Sequence, residues 1–408
     1  MVSAPFAMAA PSGLAQARSV SLLGATGSIG ASTVDLLLRH AGAYSVEAVT
    51  AHRRADELAA IARKLKAKVA VVADATAYGA LKAALSGSGI EAAAGDEAVV
   101  EAAARPVDIC VAAIVGSAGL KATFAAAGAA KALALANKES LVCSGELLNQ
   151  AVRASGGIML PTDSEHNAIF QILNGLDARH AEEIILTASG GPFRATSPAQ
   201  MRLVKPQDAL KHPTWTMGAK ITIDSATLVN KGLELIEAHH LFGVAPDKLS
   251  VLVHPQSIIH GLVRFADGSV LAHLAPADMR VPIASCLAWP QRIDSGARRL
   301  DLSEVATLTF EAPDLQRFAG LKLTQDAMIA GGGAPCVLNA ANEIAVEAFL
   351  EGRLGFMGIP DLIAETLDLC TGRGMTAPPA DVHAVLTLDV EARRLAAQLL
   401  PHIAARSW

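Results

Sequence analysis

No stretch of the 408 residues approaches the ~20 consecutive apolar positions that a membrane-spanning helix needs, so a membrane segment is not expected. Basic residues are not in excess either. Thirty-four Lys and Arg stand against 39 Asp and Glu, a net charge of -5 with pI near 6.2, and the chain has no overall field to attract nucleic acid. Five cysteines are scattered without a Cys-x-x-Cys spacing, which argues against a zinc site and against a disulfide framework; a reducing cytoplasm fits them best. Residues 1–17 carry Pro5 and Pro11 but no basic residue ahead of their short apolar patch, so they read as a flexible tail rather than a signal peptide. What is present is the composition of an ordinary soluble protein. Hydrophobic content is 52% with mean hydropathy +0.37, much of it alanine, in a chain long enough for two or three domains.

Between Ser19 and Leu160, short apolar runs alternate with helical periodicity. The runs are Val20 to Leu23, Ser45 to Thr50, Val69 to Ala73, Val107 to Ala112, Ala132 to Ala136 and Ile158 to Leu160. Such alternation predicts βαβ crossovers and a doubly wound, Rossmann-like parallel sheet over residues 18–162. From 163 to 290 helices mix with strands, and Ile258 to Phe265 and Ser269 to Leu274 flank Asp267-Gly268 as an antiparallel hairpin, an α+β pattern. Pro290 and Asp294-Ser295-Gly296 mark a linker over 291–322, and residues 323–408 read as a C-terminal helical domain.

The Gly24-Ala25-Thr26-Gly27-Ser28-Ile29-Gly30 segment follows a predicted strand and opens a predicted helix, the context in which glycines let backbone N–H groups approach a pyrophosphate. A dinucleotide turn selective for NADH would have an acid about twenty residues on, at the end of the second strand. Here that strand ends in Thr50-Ala51-His52-Arg53-Arg54. Basic residues there suit the 2'-phosphate of NADPH, although solvated charges ahead of the next helix would look the same.

Leu160-Pro161-Thr162-Asp163-Ser164-Glu165-His166-Asn167 places two carboxylates two residues apart. If the backbone is still extended, both face one cavity, and Glu234 could complete an all-oxygen site for Mg2+ or Mn2+. Asp-x-Glu alone is a weak signal, because acids are usually just solvated. Asn137-Lys138-Glu139-Ser140 closes a strand where ligands of open α/β sheets collect, and could equally cap the next helix. Thr187 to Pro192 offers hydroxyls and paired glycines to a phosphate or to a plain turn. If Asp224 to Glu234 is helical, Asn230, Lys231 and Glu234 share one turn, a grouping suited to a phosphate beside a metal. His212 to Gly218 could form a lid, with Trp215 otherwise a packing anchor.

Together these motifs resemble the 1-deoxy-D-xylulose 5-phosphate reductoisomerase family, from about Ser19 to the C-terminus. The resemblance implies an NADPH-dependent oxidoreductase and isomerase of isoprenoid biosynthesis. It would rearrange a sugar phosphate with a divalent metal, by retro-aldol and aldol steps, then reduce the aldehyde. It also implies a homodimer. By motif position, Asp163, Glu165 and Glu234 are the implied metal ligands, with Lys138 and His212 beside them as catalytic residues. Ser164, Ser189, Ser225, Asn230, Lys231, Lys138, His212, Glu165 and Glu234 fall at substrate contacts. Thr26, Gly27, Ser28, Ile29, Asn137, Glu139 and Gly218 fall at NADPH contacts, with Ala51, His52 and Arg53 at the 2'-phosphate turn. Where many members carry a Gly-Lys-Asn-like turn, this chain has Ala51-His52-Arg53. The competing reading is another NADPH-dependent dehydrogenase, of semialdehyde or homoserine type, which needs no shared metal.

Overall fold

The computed structural model describes residues 17–173, 176, 178–215 and 217–407, so the expected tail, Ala17 apart, lies outside the described residues. Seven parallel strands form the first sheet: β1 (Arg18–Leu23), β2 (Tyr44–Ala51), β3 (Val69–Val72), β4 (Glu91–Ala94), β5 (Val107–Ala112), β6 (Ala130–Leu135) and β7 (Ile158–Pro161). Their order is β4-β3-β2-β1-β5-β6-β7. The winding therefore reverses between β1 and β5, and the crevice beyond their C-terminal ends is where such sheets receive ligands. Near-continuous apolar strands fit this arrangement, since β1, β3 and β5 are buried between helical layers. Leu22, Val49 and Ile109 help fill one face, and Leu23, Val71 and Leu133 the other.

The second sheet has the order β11-β10-β8-β9, from β8 (Ala181–Ala188), β9 (Leu249–Val253), β10 (Ile259–Phe265) and β11 (Val270–Leu274). β10 and β11 form the expected antiparallel hairpin, while β8 and β9 run parallel. One core joins this sheet to the C-terminal helices, with Ile184, Leu186 and Val263 in the same cluster as Leu233, Leu338, Phe349 and Ile403. Those helices are Ala319–Ala330, Ala334–Leu350, Gly358–Gly372 and Val382–Ala404.

Three local expectations need adjustment. β4 escaped the sequence reading because Glu-Ala-Ala-Ala has no β-branched or aromatic residue. The helical periodicity between the runs Ala132 to Ala136 and Ile158 to Leu160 is two helices, Lys138–Ser144 and Glu146–Ala154, broken at Gly145 with φ +46°. The 291–322 span holds a short helix, Leu302–Val305, and an antiparallel bridge from Glu311 to Val253, and the next helix starts inside it at Ala319.

Candidate active site

Both sheets contribute to one cavity of about 630 Å3, lined by Ser28 and Ile29 at one end and by Asp163, Glu165, Ser189, Asn230 and Glu234 at the other. At the first end, Gly24 has φ +87°, and a Cβ there would lie 2.5 Å from the Ala113 carbonyl oxygen. A Cβ on Gly30 would lie 2.4 Å from the Ala25 and Gly24 carbonyl oxygens. Only glycine lets β1 turn so tightly into the helix Ser28–Arg39. That helix begins at Gly27 with no side-chain cap, leaving its first N–H groups for an anion. The turn thus fits a pyrophosphate on its own geometry.

Among the residues expected at the dinucleotide, Ser28, Ile29, Glu139 and Gly218 line the cavity, whereas Thr26, Gly27, Ala51, His52, Arg53 and Asn137 do not. His52 and Arg53 lie exposed just past the end of β2. Arg54 is committed elsewhere, donating to the Thr26 carbonyl and to Glu57 at 2.9 Å. Asn137 caps the helix Lys138–Ser144, its Oδ1 accepting from the Ser140 N–H at 3.0 Å, and its Nδ2 donates to the Ile114 and Gly116 carbonyls at 2.5 and 3.0 Å. Its amide holds the turn after β5.

At the other end the three acids meet. Asp163, Glu165 and Glu234 each offer a carboxylate oxygen, and these oxygens lie within 4.8 Å of one another. The extended backbone expected at Asp163 and Glu165 is not what joins them: β7 ends at Pro161 and Glu165 lies in the first turn of the helix Ser164–Leu173, so the strand-to-helix turn aims both inward. Glu234 comes from the helix Val229–Phe242, which places Asn230, Lys231 and Glu234 on one face as the spacing predicts. Leu228, buried with φ +58°, makes the sharp entry to that helix.

Two ammonium groups sit among the acids. Lys138 Nζ donates to Asp163 at 2.6 Å and to Asn230 Oδ1 and Glu234 at 3.0 Å; Lys231 Nζ donates to Glu165 at 2.7 Å and to Glu234. Lys231 thus serves the acids here, at a distance from the anion-binding role expected of it. Burial opposes the charge on Lys138, but Asp163, Glu234 and Glu237 outweigh it and raise its pKa. Burial, then the neighbouring Glu234, pushes the Glu165 carboxyl up to about 7. Burial alone would also raise Asp163, yet Lys138 and His166 hold it well below the usual carboxylate range. Three converging hard oxygen donors fit a divalent cation.

Beside the acids lies a buried pair that sequence reasoning missed. His166 Nε2 donates to the Glu234 carbonyl at 2.8 Å, while Nδ1 stands 3.0 Å from Glu237. Burial works against a charged imidazole, but Glu237 outweighs it and lifts His166 to about 9. Burial raises Glu237 in turn, and the imidazole offsets part of that rise. Asp163, His166 and Glu237 form a second grouping of metal-ligand type, in which His166 Nδ1 and Glu237 stand as close as an ion pair without hydrogen-bond geometry. A second missed network is Lys220, which pairs with Glu139 at 3.0 Å and Asp224 at 2.7 Å. Only the i, i+4 half of it had a sequence signal.

Ser189 and Ser225 line the same cavity as the acids. His212 Nδ1 accepts from the Thr214 and Trp215 N–H groups at 3.2 and 2.9 Å, which leaves Nε2 to donate to Ser189 Oγ at 3.0 Å. Ser164 Oγ donates to Glu165 at 2.5 Å and lies 3.1 Å from His260. Trp215 stands edge-on to His260 at 6.0 Å, closing one side.

Comparison with known proteins gives a consistent result. A family model described as 1-deoxy-D-xylulose 5-phosphate reductoisomerase matches residues 20–145, and the models of its C-terminal domains match 159–242 and 274–395. The reductoisomerase of Afipia carboxidovorans is 54% identical over 390 residues, 96% of each chain. That of Zymomonas mobilis is 51% identical, over 96% of this chain and all of its own. A solved Zymomonas mobilis enzyme in complex with NADPH superposes with TM-score 0.88 at 50% identity, covering 94% of this chain and 99% of the other. A DOX-P reductoisomerase in complex with NADPH, fosmidomycin and magnesium gives TM-score 0.90 at 42% identity, over 94% and 98%.

Proposed function

The chain belongs to the 1-deoxy-D-xylulose 5-phosphate reductoisomerase family, and from that premise we propose that it rearranges 1-deoxy-D-xylulose 5-phosphate and reduces the product with NADPH to 2-C-methyl-D-erythritol 4-phosphate. The observation that carries this reading is the convergence of Asp163, Glu165 and Glu234 in the same cavity as a glycine turn shaped for a pyrophosphate. A semialdehyde or homoserine dehydrogenase has no use for that convergence.

Asp163, Glu165 and Glu234 would hold Mg2+ or Mn2+, which supplies Lewis-acid stabilisation of charge on the substrate's ketone and hydroxyl oxygens. The Gly24–Gly30 turn and Gly218 would hold NADPH, which would supply the hydride. Lys138 keeps its proton and donates to Asp163 and Glu234, so its positive charge offsets theirs in a buried setting. Ser189, Ser225, Asn230 and Lys231 orient the sugar phosphate by its phosphate, and the ammonium of Lys231 must turn from the acids to do so. Ser164 positions Glu165, and His212 latches residues 212–218 against Ser189 as a lid, Thr216 lying outside the described residues. His52 and Arg53, not Arg54, are our candidates for the 2'-phosphate, because Arg54 is engaged.

Residues 18–162 are then the NADPH-binding unit, 163–290 the catalytic unit and 323–408 the helical unit. A homodimer is supported by β11, an edge strand with Val270, Leu271 and Leu274 exposed, which a second copy would cover. No helix among the described residues is long and apolar enough to cross a membrane. The five buried cysteines, all free, support a cytoplasmic location. Incubation of the purified protein with 1-deoxy-D-xylulose 5-phosphate, NADPH and Mn2+ tests the whole reading: cofactor oxidation that stops on adding EDTA is expected, and EDTA-insensitive oxidation would favour the plain dehydrogenase.

A further inference from the structure

The turn after β5 walls the cavity with Ile114 and Val115, the latter an apolar side chain left 69% exposed. Asn137 holds this turn from one side. From the other it rests on the C-terminal helices, more than two hundred residues away in sequence. Arg393, in the helix Val382–Ala404, donates to Ser117 Oγ at 3.1 Å, to Glu343 at 2.6 Å and to Asp389 at 2.8 and 3.1 Å. Ser117 Oγ donates in turn to Asp389 at 3.1 Å. Asn339 anchors the other oxygen of Glu343 at 3.0 Å. Gly116 has φ +75°, and a Cβ there would meet the Glu343 carboxylate at 3.1 Å, so the acid is packed directly against the turn. The guanidinium fork thus joins two helices and the loop at one point, with a fixed planar geometry that an ammonium would not reproduce.

We propose that Arg393 is a positioning residue for the dinucleotide: with Glu343 and Asp389 it fixes the 114–117 turn, and so the wall against which NADPH lies. This rests on the NADPH reading above. It gives the C-terminal helical unit a part in cofactor binding, although none of its residues lines the cavity. The alternative is that the cluster merely fastens the helices to the parallel sheet.

Direct NADPH binding by intrinsic fluorescence on the full-length protein separates the two. Ser117→Ala removes the loop's own hydroxyl and leaves the Arg393, Glu343 and Asp389 contacts in place, so it keeps the helical unit together. Networks of this kind modulate distant binding by about 2- to 30-fold. NADPH Kd is expected to rise about 3-fold in Ser117→Ala and about 10-fold in Arg393→Met, with the KM for the sugar phosphate and kcat at saturating NADPH within 2-fold of wild type. Arg393→Lys, which keeps charge without the fork, should recover only part of the loss. Unchanged Kd in Ser117→Ala and in any folded Arg393 variant would overturn the proposal, as would equal losses in both KM values with kcat. A wild-type protein that fails to bind NADPH would instead sink the reading on which it rests.

Discussion

Replacing Glu234 by glutamine removes one of three converging carboxylates while keeping the shape of the side chain. Glu234 is 1% exposed and accepts from Lys138 at 3.0 Å, Asn230 at 2.5 Å and Lys231. An amide oxygen in place of Oε1 can keep both Lys138 and Asn230, but the NH2 in place of Oε2 would face the Lys231 ammonium. Breaking a buried ion pair outright costs about 3–5 kcal/mol. Here both lysines keep another acid, Asp163 at 2.6 Å and Glu165 at 2.7 Å, so a stability loss of about 1–3 kcal/mol is expected. The loss to the metal is larger. Removing groups that merely orient metal ligands already costs 10- to 100-fold in affinity, so half-saturation by Mn2+ should rise by at least about 100-fold and kcat should fall steeply. The glycine turn lies at the far end of the cavity, so NADPH Kd should stay within about 2-fold of wild type. Cofactor oxidation across a Mn2+ titration, with NADPH binding measured separately, gives all three quantities. Wild-type kcat and an unchanged Mn2+ requirement in a folded Glu234→Gln protein would refute the assignment.

Other consequences can be checked independently. In Gly232→Ala the new methyl would fall 1.5 Å from Thr324 Oγ1, where the helices Val229–Phe242 and Ala319–Ala330 cross; urea unfolding should show a loss of about 3 kcal/mol, and a neutral result would mean the crossing is looser than described. Gly30→Ala should raise NADPH Kd at least about 10-fold by forcing a Cβ onto the Ala25 carbonyl, without moving Mn2+ affinity. Arg53→Ala should narrow the preference for NADPH over NADH in kcat/KM; an undiminished preference would transfer the 2'-phosphate to His52. Asp108 is held down to about 2 by Lys131 and the Ser19 N–H, and its folded pKa is therefore depressed. The stability it contributes is present above the unfolded value near 3.9 and lost as pH falls towards 2. Asp108→Asn should cost about 1 kcal/mol at pH 6 and close to nothing at pH 2, in urea titrations at each pH.

Local features were legible in the sequence and long-range ones were not. The glycine turn showed because its flanking strand and helix are contiguous, and Asn230, Lys231 and Glu234 showed because a helix brings i, i+1 and i+4 within one turn. The convergence of Asp163 with Glu165 was expected for a different reason than the structure gives, since the strand stops before Asp163 and a helix begins at Ser164. His166 with Glu237 and Lys220 with Glu139 depend on how separate segments pack, and no spacing announces that. The same holds for Arg393 and the turn after β5, where the partners are 276 residues apart. β4 was invisible because alanines carry no strand preference.

The most direct test is the anomalous scattering of manganese in crystals of this protein grown with NADPH. One peak bridging Asp163, Glu165 and Glu234 at ~2.0 to 2.6 Å, with Lys138 and Lys231 displaced from the carboxylates, is the expected result. Manganese between His166 and Glu237 instead, or no peak near any of the three acids, would contradict it.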